Sequence, residues 1–130
     1  MKTFNDYIND KHTKLFEETG TFFAFSSEQF KEKSKPGVKY ADCGSGMICP
    51  KENVDKLLEG LKQARIEAVQ EDLEENGKEA IIKRELMNHE CFYTNDVEDA
   101  MRILKLYDCT LEEVKKTFYE EKENLDPDYY

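Results

Sequence analysis

The amino-acid sequence predicts an α+β protein, in which a small antiparallel β-sheet of about three strands, in residues 21–50, packs against several α-helices. Short runs of aromatic and β-branched residues, separated by glycine and proline, occur only in the first 50 residues. Apolar residues at helical spacing dominate the remainder. The spacing predicts one long helix over residues 51–75.

The size and composition favour one domain. The chain has 130 residues, of which 38% are hydrophobic, and a chain of about this size can bury a core without disulfides or metals. We therefore predict a single α+β domain over residues 1–125. The polar residues 126–130 are predicted to form a C-terminal tail.

The first 50 residues contain the predicted strands. Helical spacing over Thr3–Thr19, with Gly20 as a stop, predicts the first helix. The aromatic run Thr21–Phe25 is typical of a covered strand. A capping-box pattern at Ser26 opens a short helix that must end before Pro36.

A glycine turn separates two further predicted strands. Val38–Cys43 and Met47–Cys49 have strand character and flank the tight turn Gly44–Gly46, which indicates a hairpin. Pro50 fits the first turn of the long helix that follows.

Three more helices are predicted after the long one. Lys78–Tyr93 has continuous helical spacing. Asn95 and Thr110, each with a glutamate three residues later, are predicted to cap the third and fourth helices after residue 50.

Composition excludes a membrane-spanning protein. The longest uncharged stretches, Thr19–Ser27 and Cys43–Pro50, are much shorter than the about 20 apolar residues that a spanning helix needs. The N-terminal residues include acids and no apolar run, unlike a signal peptide. We therefore expect a cytoplasmic protein whose four cysteines are thiols.

Charge is distributed unevenly along the chain. Residues 1–50 contain seven acids and seven bases, so residues 51–130, with 22 acids and 12 bases, account for the net charge of −10. Such a surface repels phosphates, which disfavours direct nucleic-acid binding. The densest patch either keeps the protein soluble or contacts a basic partner protein; these protein-contact candidates are Glu71, Asp72, Glu74 and Glu75.

The glycine turn is the first candidate site. Gly44, Ser45 and Gly46 can present backbone N–H groups to an anion or small ligand. A plain hairpin turn is the alternative, because no lysine-bearing helix follows directly and Asp42 adds negative charge.

A zinc site is a weaker hypothesis. Its candidates, Cys43, Cys49, His89 and Cys91, do not have a usual zinc spacing, so we assign no metal and no cofactor.

The second candidate site lies on the face of the predicted helix Lys78–Tyr93 that should be buried. Glu85 and His89 are four residues apart, so their side chains can meet, and Tyr93 continues the same face. The pair is either structural, part of a ligand pocket with the turn Gly44–Gly46, or catalytic. No nucleophile with a matched base is identified, so we favour a protein that is not an enzyme.

Three stretches, Thr21–Phe30, Gly46–Val54 and Arg84–Thr94, resemble a family of small uncharacterised proteins encoded by bacteriophages and mobile elements of gut bacteria. The resemblance implies an origin in a phage or mobile element and brings no activity or catalytic residues. It also implies a protein of the bacterial cytoplasm that binds host or phage proteins.

Three functional hypotheses follow. We favour a non-enzymatic protein that binds a host or phage protein through its acidic helices, such as a host-takeover factor or a modulator of antiphage defence. The alternatives are a protein that binds or sequesters a nucleotide or metabolite, and a metal-dependent hydrolase. The sequence leaves homo-oligomerisation open.

Overall fold

Residues 1–125, which the computed structural model describes, contain seven α-helices and one three-stranded antiparallel sheet. The predicted α+β class is therefore confirmed. The chain divides into two units, Met1–Ala68 and the residues from Val69 onward, and each is described by itself. The single domain predicted over residues 1–125 stays a prediction, and the predicted tail lies outside the described residues.

The first helix, α1 (Phe4–Thr19), has the predicted bounds because both ends carry specific caps. The Thr3 backbone N–H donates to the Asp6 carboxylate at 2.8 Å, completing a capping box. Gly20 ends the helix in the left-handed conformation, with φ 75°.

The sheet consists of β1 (Phe22–Phe23), β2 (Tyr40–Asp42) and β3 (Met47–Pro50), in the order β1-β3-β2. Phe22 lies opposite Ile48. β1 and β2 are shorter than predicted, whereas β3 extends one residue further, to Pro50. β1 ends early because the helix after it begins close by: the Phe25 N–H donates to the Gln29 side chain at 2.7 Å.

The helix α2 (Ser27–Lys33) covers one face of this sheet. The Ser26 hydroxyl accepts a hydrogen bond from the Gln29 N–H, so the predicted cap is confirmed. The Phe30 ring of α2 packs on Phe22 and Tyr40, with ring centroids 6.2 and 5.7 Å away. These three rings form an aromatic cluster on that face.

The other face of the sheet packs on helices. Residues Lys51–Asn53 form a 3₁₀ turn, and α3 (Val54–Asn76) follows. The helix is therefore as long as predicted, but the placement of Pro50 in its first turn is wrong, because Pro50 pairs with Tyr40 as the last residue of β3. Cys49 packs with Leu15 of α1 and Leu57 of α3 in a buried cluster.

The second unit is helical. After the end of α3 it contains α4 (Lys78–Asn88), α5 (Cys91–Thr94), α6 (Glu98–Leu104), a 3₁₀ turn at Lys105–Tyr107 and α7 (Leu111–Asn124). Both α6 and α7 pack on α4. The Thr110 hydroxyl accepts from the Glu113 N–H, which confirms the predicted cap of α7.

Two predictions for this unit are wrong. Lys78–Tyr93 is not one helix, because Glu90 adopts the left-handed conformation, with φ 54°, and α4 ends at Asn88. Asn95 does not cap the next helix: it is also left-handed, with φ 60°, and the Asp96 carboxylate accepts from the Glu98 N–H.

The two glycines of the turn Gly44–Gly46 can be used to test the packing of Phe25 against this turn. Gly44 and Gly46 both have positive φ, but only at Gly46 would an added Cβ collide with the Phe25 ring. We expect Gly44→Ala to lower the free energy of unfolding by about 1–2 kcal/mol, from backbone strain alone. Gly46→Ala should cost about 0.5–1.5 kcal/mol more, measured by urea unfolding, because the exposed Phe25 ring must also leave its rotamer. Equal losses would contradict the contact between Phe25 and Gly46.

Candidate functional site

The second unit contains a buried charged network that joins α3, α4 and the 3₁₀ turn before α7. We define the Asp72 network as the side chains of Asp72, Asn76, Arg84, Glu85 and Tyr107. Asp72 has 0% of its surface exposed and lies near the end of α3. The expectation that it lies on the acidic surface is therefore wrong, because it continues the buried stripe of α3 that includes Ala68.

Arg84 of α4 neutralises this buried carboxylate. Its Nη1 and Nη2 atoms donate to the two oxygens of Asp72 at 3.0 and 2.9 Å, which is a bidentate pair. The Tyr107 hydroxyl also donates to Asp72, and the Asn76 amide donates to it at 2.8 Å. Within residues 1–125, no buried side-chain nitrogen or oxygen lacks a hydrogen-bond partner.

The Glu85–His89 pair extends this network toward solvent. Arg84 Nε donates to Glu85 Oε1 at 2.9 Å, and Glu85 Oε2 lies 3.3 Å from His89 Nε2. The predicted contact is confirmed. Glu85 is buried, whereas a third of the His89 side chain is exposed, so His89 forms the solvent-facing end of the network.

The pKa shifts in the network oppose proton transfer. Burial by itself would raise the pKa of Asp72, but hydrogen bonds from Arg84, Tyr107 and Asn76 outweigh it, and the pKa is lowered. Burial and the contact with Asp72 raise the pKa of Tyr107. Both groups are thus held further from neutral pH, whereas a general acid or base needs a pKa near it. These two groups suit a structural role.

The other predicted pocket residues lie in different surroundings. Tyr93 is 72% exposed on α5. Gly44, Ser45 and Gly46 form the turn between β2 and β3 in the first unit, where the Asp42 carboxylate accepts from the Gly44 N–H at 2.8 Å. That N–H is therefore already occupied. A pocket that combines the turn with Glu85, His89 and Tyr93 stays a prediction.

The cysteines are free thiols. Burial raises the pKa of Cys43, Cys91 and Cys109, so these thiols are protonated at neutral pH. Among residues 1–125 no three histidine, cysteine or acidic side chains are grouped so as to hold a metal. Of the zinc candidates, Cys43 and Cys49 belong to the first unit and His89 and Cys91 to the second, so a site formed by all four stays a prediction.

The remaining protein-contact candidates lie at the surface. Glu71, Glu74 and Glu75 are exposed in the last two turns of α3, around the buried Asp72. The sequence reasoning missed Arg84 and Tyr107. The burial of Arg84 could have been predicted from its helical spacing, because it lies next to Glu85 and three residues after the buried Ile81.

The protein is thus a small α+β protein whose helical unit is stabilised by an internal ion-pair network. The chain belongs to a family of unknown function, DUF7659, whose model matches residues 4–122. No curated protein and no solved structure matches it. Among the described residues, no helix is both sufficiently long and sufficiently apolar to cross a bilayer.

Removing the cation of the network should destabilise the protein strongly. Arg84→Met leaves Asp72 buried without its charge partner, and we expect the free energy of unfolding to fall by about 3–5 kcal/mol in urea titrations. Arg102→Met is the control, because Arg102 pairs with Asp99 at the surface and its side chain is 76% exposed. Similar losses in both variants would contradict a structural role for the buried pair.

Asp72 should also contribute to acid unfolding. Its native pKa is below the ordinary value of 3.8, so its stabilising contribution is present above that value and is lost as the pH falls toward the native pKa. We expect stability to fall less between about pH 5 and pH 2 in Asp72→Asn than in the wild type, measured by urea unfolding at each pH. Parallel pH profiles would show that Asp72 does not carry this dependence.

Proposed function

We propose that the protein is not an enzyme and acts by binding another protein through the acidic surface of its second unit. The observation that supports this proposal is the difference in net charge between the two units. Residues 1–68 contain 11 acids and 11 bases, whereas residues 69–130 contain 18 acids and 8 bases. The whole net charge of −10 therefore belongs to the second unit.

The position of the carboxylates supports a role in binding. Glu71, Glu74 and Glu75 lie at the C-terminal end of α3, and no basic residue occupies its last turn. The partial negative charge of a helix C-terminus disfavours acids there, typically by about 0.3–1 kcal/mol each. Local stability would favour lysine or arginine, so the acids are better explained by an interaction with a partner.

A basic surface on a protein is the matching partner. Charge complementarity accelerates encounter and selects the partner, while an exposed aromatic ring often supplies binding energy. Tyr93, which is 72% exposed on a helix whose Cys91 and Phe92 are buried, has the position of such an anchor. We place this interaction in the bacterial cytoplasm, where an accessory protein of a phage or mobile element would bind a host protein or a component of antiphage defence.

Charge reversal tests the proposal. Glu71→Lys, Glu74→Lys and Glu75→Lys together should leave the fold intact and weaken partner binding about tenfold or more. The partner is first identified by affinity purification with mass spectrometry from a bacterial host, and binding of the purified pair is then measured by calorimetry. Asp72 is left unchanged because it is buried and its substitution would remove the charge partner of Arg84.

A matched control keeps the net charge equal. Asp10→Lys, Glu17→Lys and Glu59→Lys make the same charge change at exposed positions of the first unit. We expect this control to bind the partner with nearly the affinity of the wild type. Equal affinity in both triple variants would refute the proposed surface.

A further inference from the structure

The first unit carries a positively charged segment beside exposed aromatic rings. Residues 31–39, with the sequence KEKSKPGVK, contain four lysines and one acid. Phe25 and Phe30 lie just before it and are 74% and 36% exposed. We call Phe25, Phe30, Lys31, Lys35 and Lys39 the lysine–aromatic surface.

A cavity of about 530 Å³ opens between the two rings. Phe25 and Phe30 line it together with Ile48 of the sheet, and Lys31 lies at its edge. Its volume is within the range of about 300–1,000 Å³ that is typical of small-ligand sites. Its aromatic lining can contact the face of a planar ring.

Phe25 is held in place although most of its surface is exposed. Its ring lies against the backbone of Gly46 and is nearly parallel to Phe23, with ring centroids 6.4 Å apart and an interplanar angle of 17°. A ring supported in this way forms a preorganised stacking platform, since little side-chain freedom is lost on binding.

Three of the lysines carry positive charge that is not paired with an acid among residues 1–125. Lys33 Nζ donates to the Phe23 carbonyl at 2.6 Å and helps to fix the segment. The ammonium groups of Lys31, Lys35 and Lys39 form no ion pair with any residue from 1 to 125. Cations with no internal partner are available to an external anion.

We propose that the lysine–aromatic surface binds single-stranded nucleic acid. One base stacks on Phe25 in the cavity, and the neighbouring phosphates contact Lys31, Lys35 and Lys39. Stacking platforms beside lysines are how proteins bind single strands without reading their sequence. A free mononucleotide would use the cavity and Lys31 but leave Lys35 and Lys39 without phosphates, so a strand fits better.

The net charge of the protein does not oppose this binding at the first unit. The acidic surface that disfavours nucleic acid belongs to the residues that carry the net charge of −10, whereas residues 1–68 are neutral. Within the first unit, residues 31–39 hold four of the eleven bases and one of the eleven acids, so this segment is locally positive.

The test is fluorescence anisotropy of a labelled oligothymidylate of about 15 nucleotides with the full chain. Binding should weaken about 20-fold between about 50 and 200 mM salt, as expected for three phosphate contacts on a single strand. Phe25→Ala should bind about tenfold or more weakly, whereas Phe25→Tyr should retain the affinity. Lys31→Glu, Lys35→Glu and Lys39→Glu together should abolish binding.

The control variant is Lys14→Glu, Lys56→Glu and Lys62→Glu, which makes the same charge change at exposed positions of the first unit and should bind as the wild type does. No anisotropy change at low salt, or equal losses in the two lysine variants, would overturn the proposal. Equal competition by a mononucleotide or by polyglutamate would also overturn it, because the surface would then bind a free nucleotide or any polyanion. The glutamates of α3 are unchanged throughout, so the result is independent of the proposed protein contact.

Discussion

The bidentate pair between Asp72 and Arg84 is the interaction on which the second unit depends. Transferring an isolated charge to a protein interior costs several kcal/mol, so either residue alone would oppose folding. The pair is tolerated because Tyr107 and Asn76 also donate to Asp72, while Glu85 accepts from Arg84. These groups come from α3, from α4 and from the 3₁₀ turn at Lys105–Tyr107. The hydrogen bonds between them therefore fix how these elements align.

The same pair distinguishes buried structural charges from charges at the surface. Asp72, Arg84 and Glu85 are buried and mutually satisfied. The neighbouring Glu71, Glu74 and Glu75 are exposed and lie where a helix would favour cations. Acids on the same helix therefore have different roles: Asp72 is structural, whereas the exposed glutamates around it can contact a partner. For this reason the proposed protein contact omits Asp72.

Local signals predicted much of the fold. Gly20, Ser26 and Thr110 end or begin helices as expected, because caps depend on neighbouring residues. The break after α4 was missed because Glu90 adopts a left-handed conformation that glutamate rarely takes. Pro50 was misplaced because proline is accepted both at a helix start and at the end of a strand, and Pro50 is the last residue of β3, beyond its pairing with β1.

The candidate sites were less predictable, because they depend on contacts between distant residues. The spacing of four residues was sufficient to predict the meeting of Glu85 and His89. Asp72 and Tyr107 are 35 residues apart, and no periodicity connects them. The cavity likewise requires Ile48 to lie beneath Phe25 and Phe30, which depends on the pairing of β1 with β3.

The state of the cysteines has a practical consequence for labelling. Thiolates, rather than thiols, react with maleimides, and the native thiols of Cys43, Cys91 and Cys109 are kept protonated by burial, while Cys49 has 0% of its surface exposed. A cysteine introduced on an exposed helical position would therefore react much faster than the native ones. Fluorophores or spin labels can thus be attached at chosen sites once Cys43, the natural cysteine that is only partly buried, has been replaced.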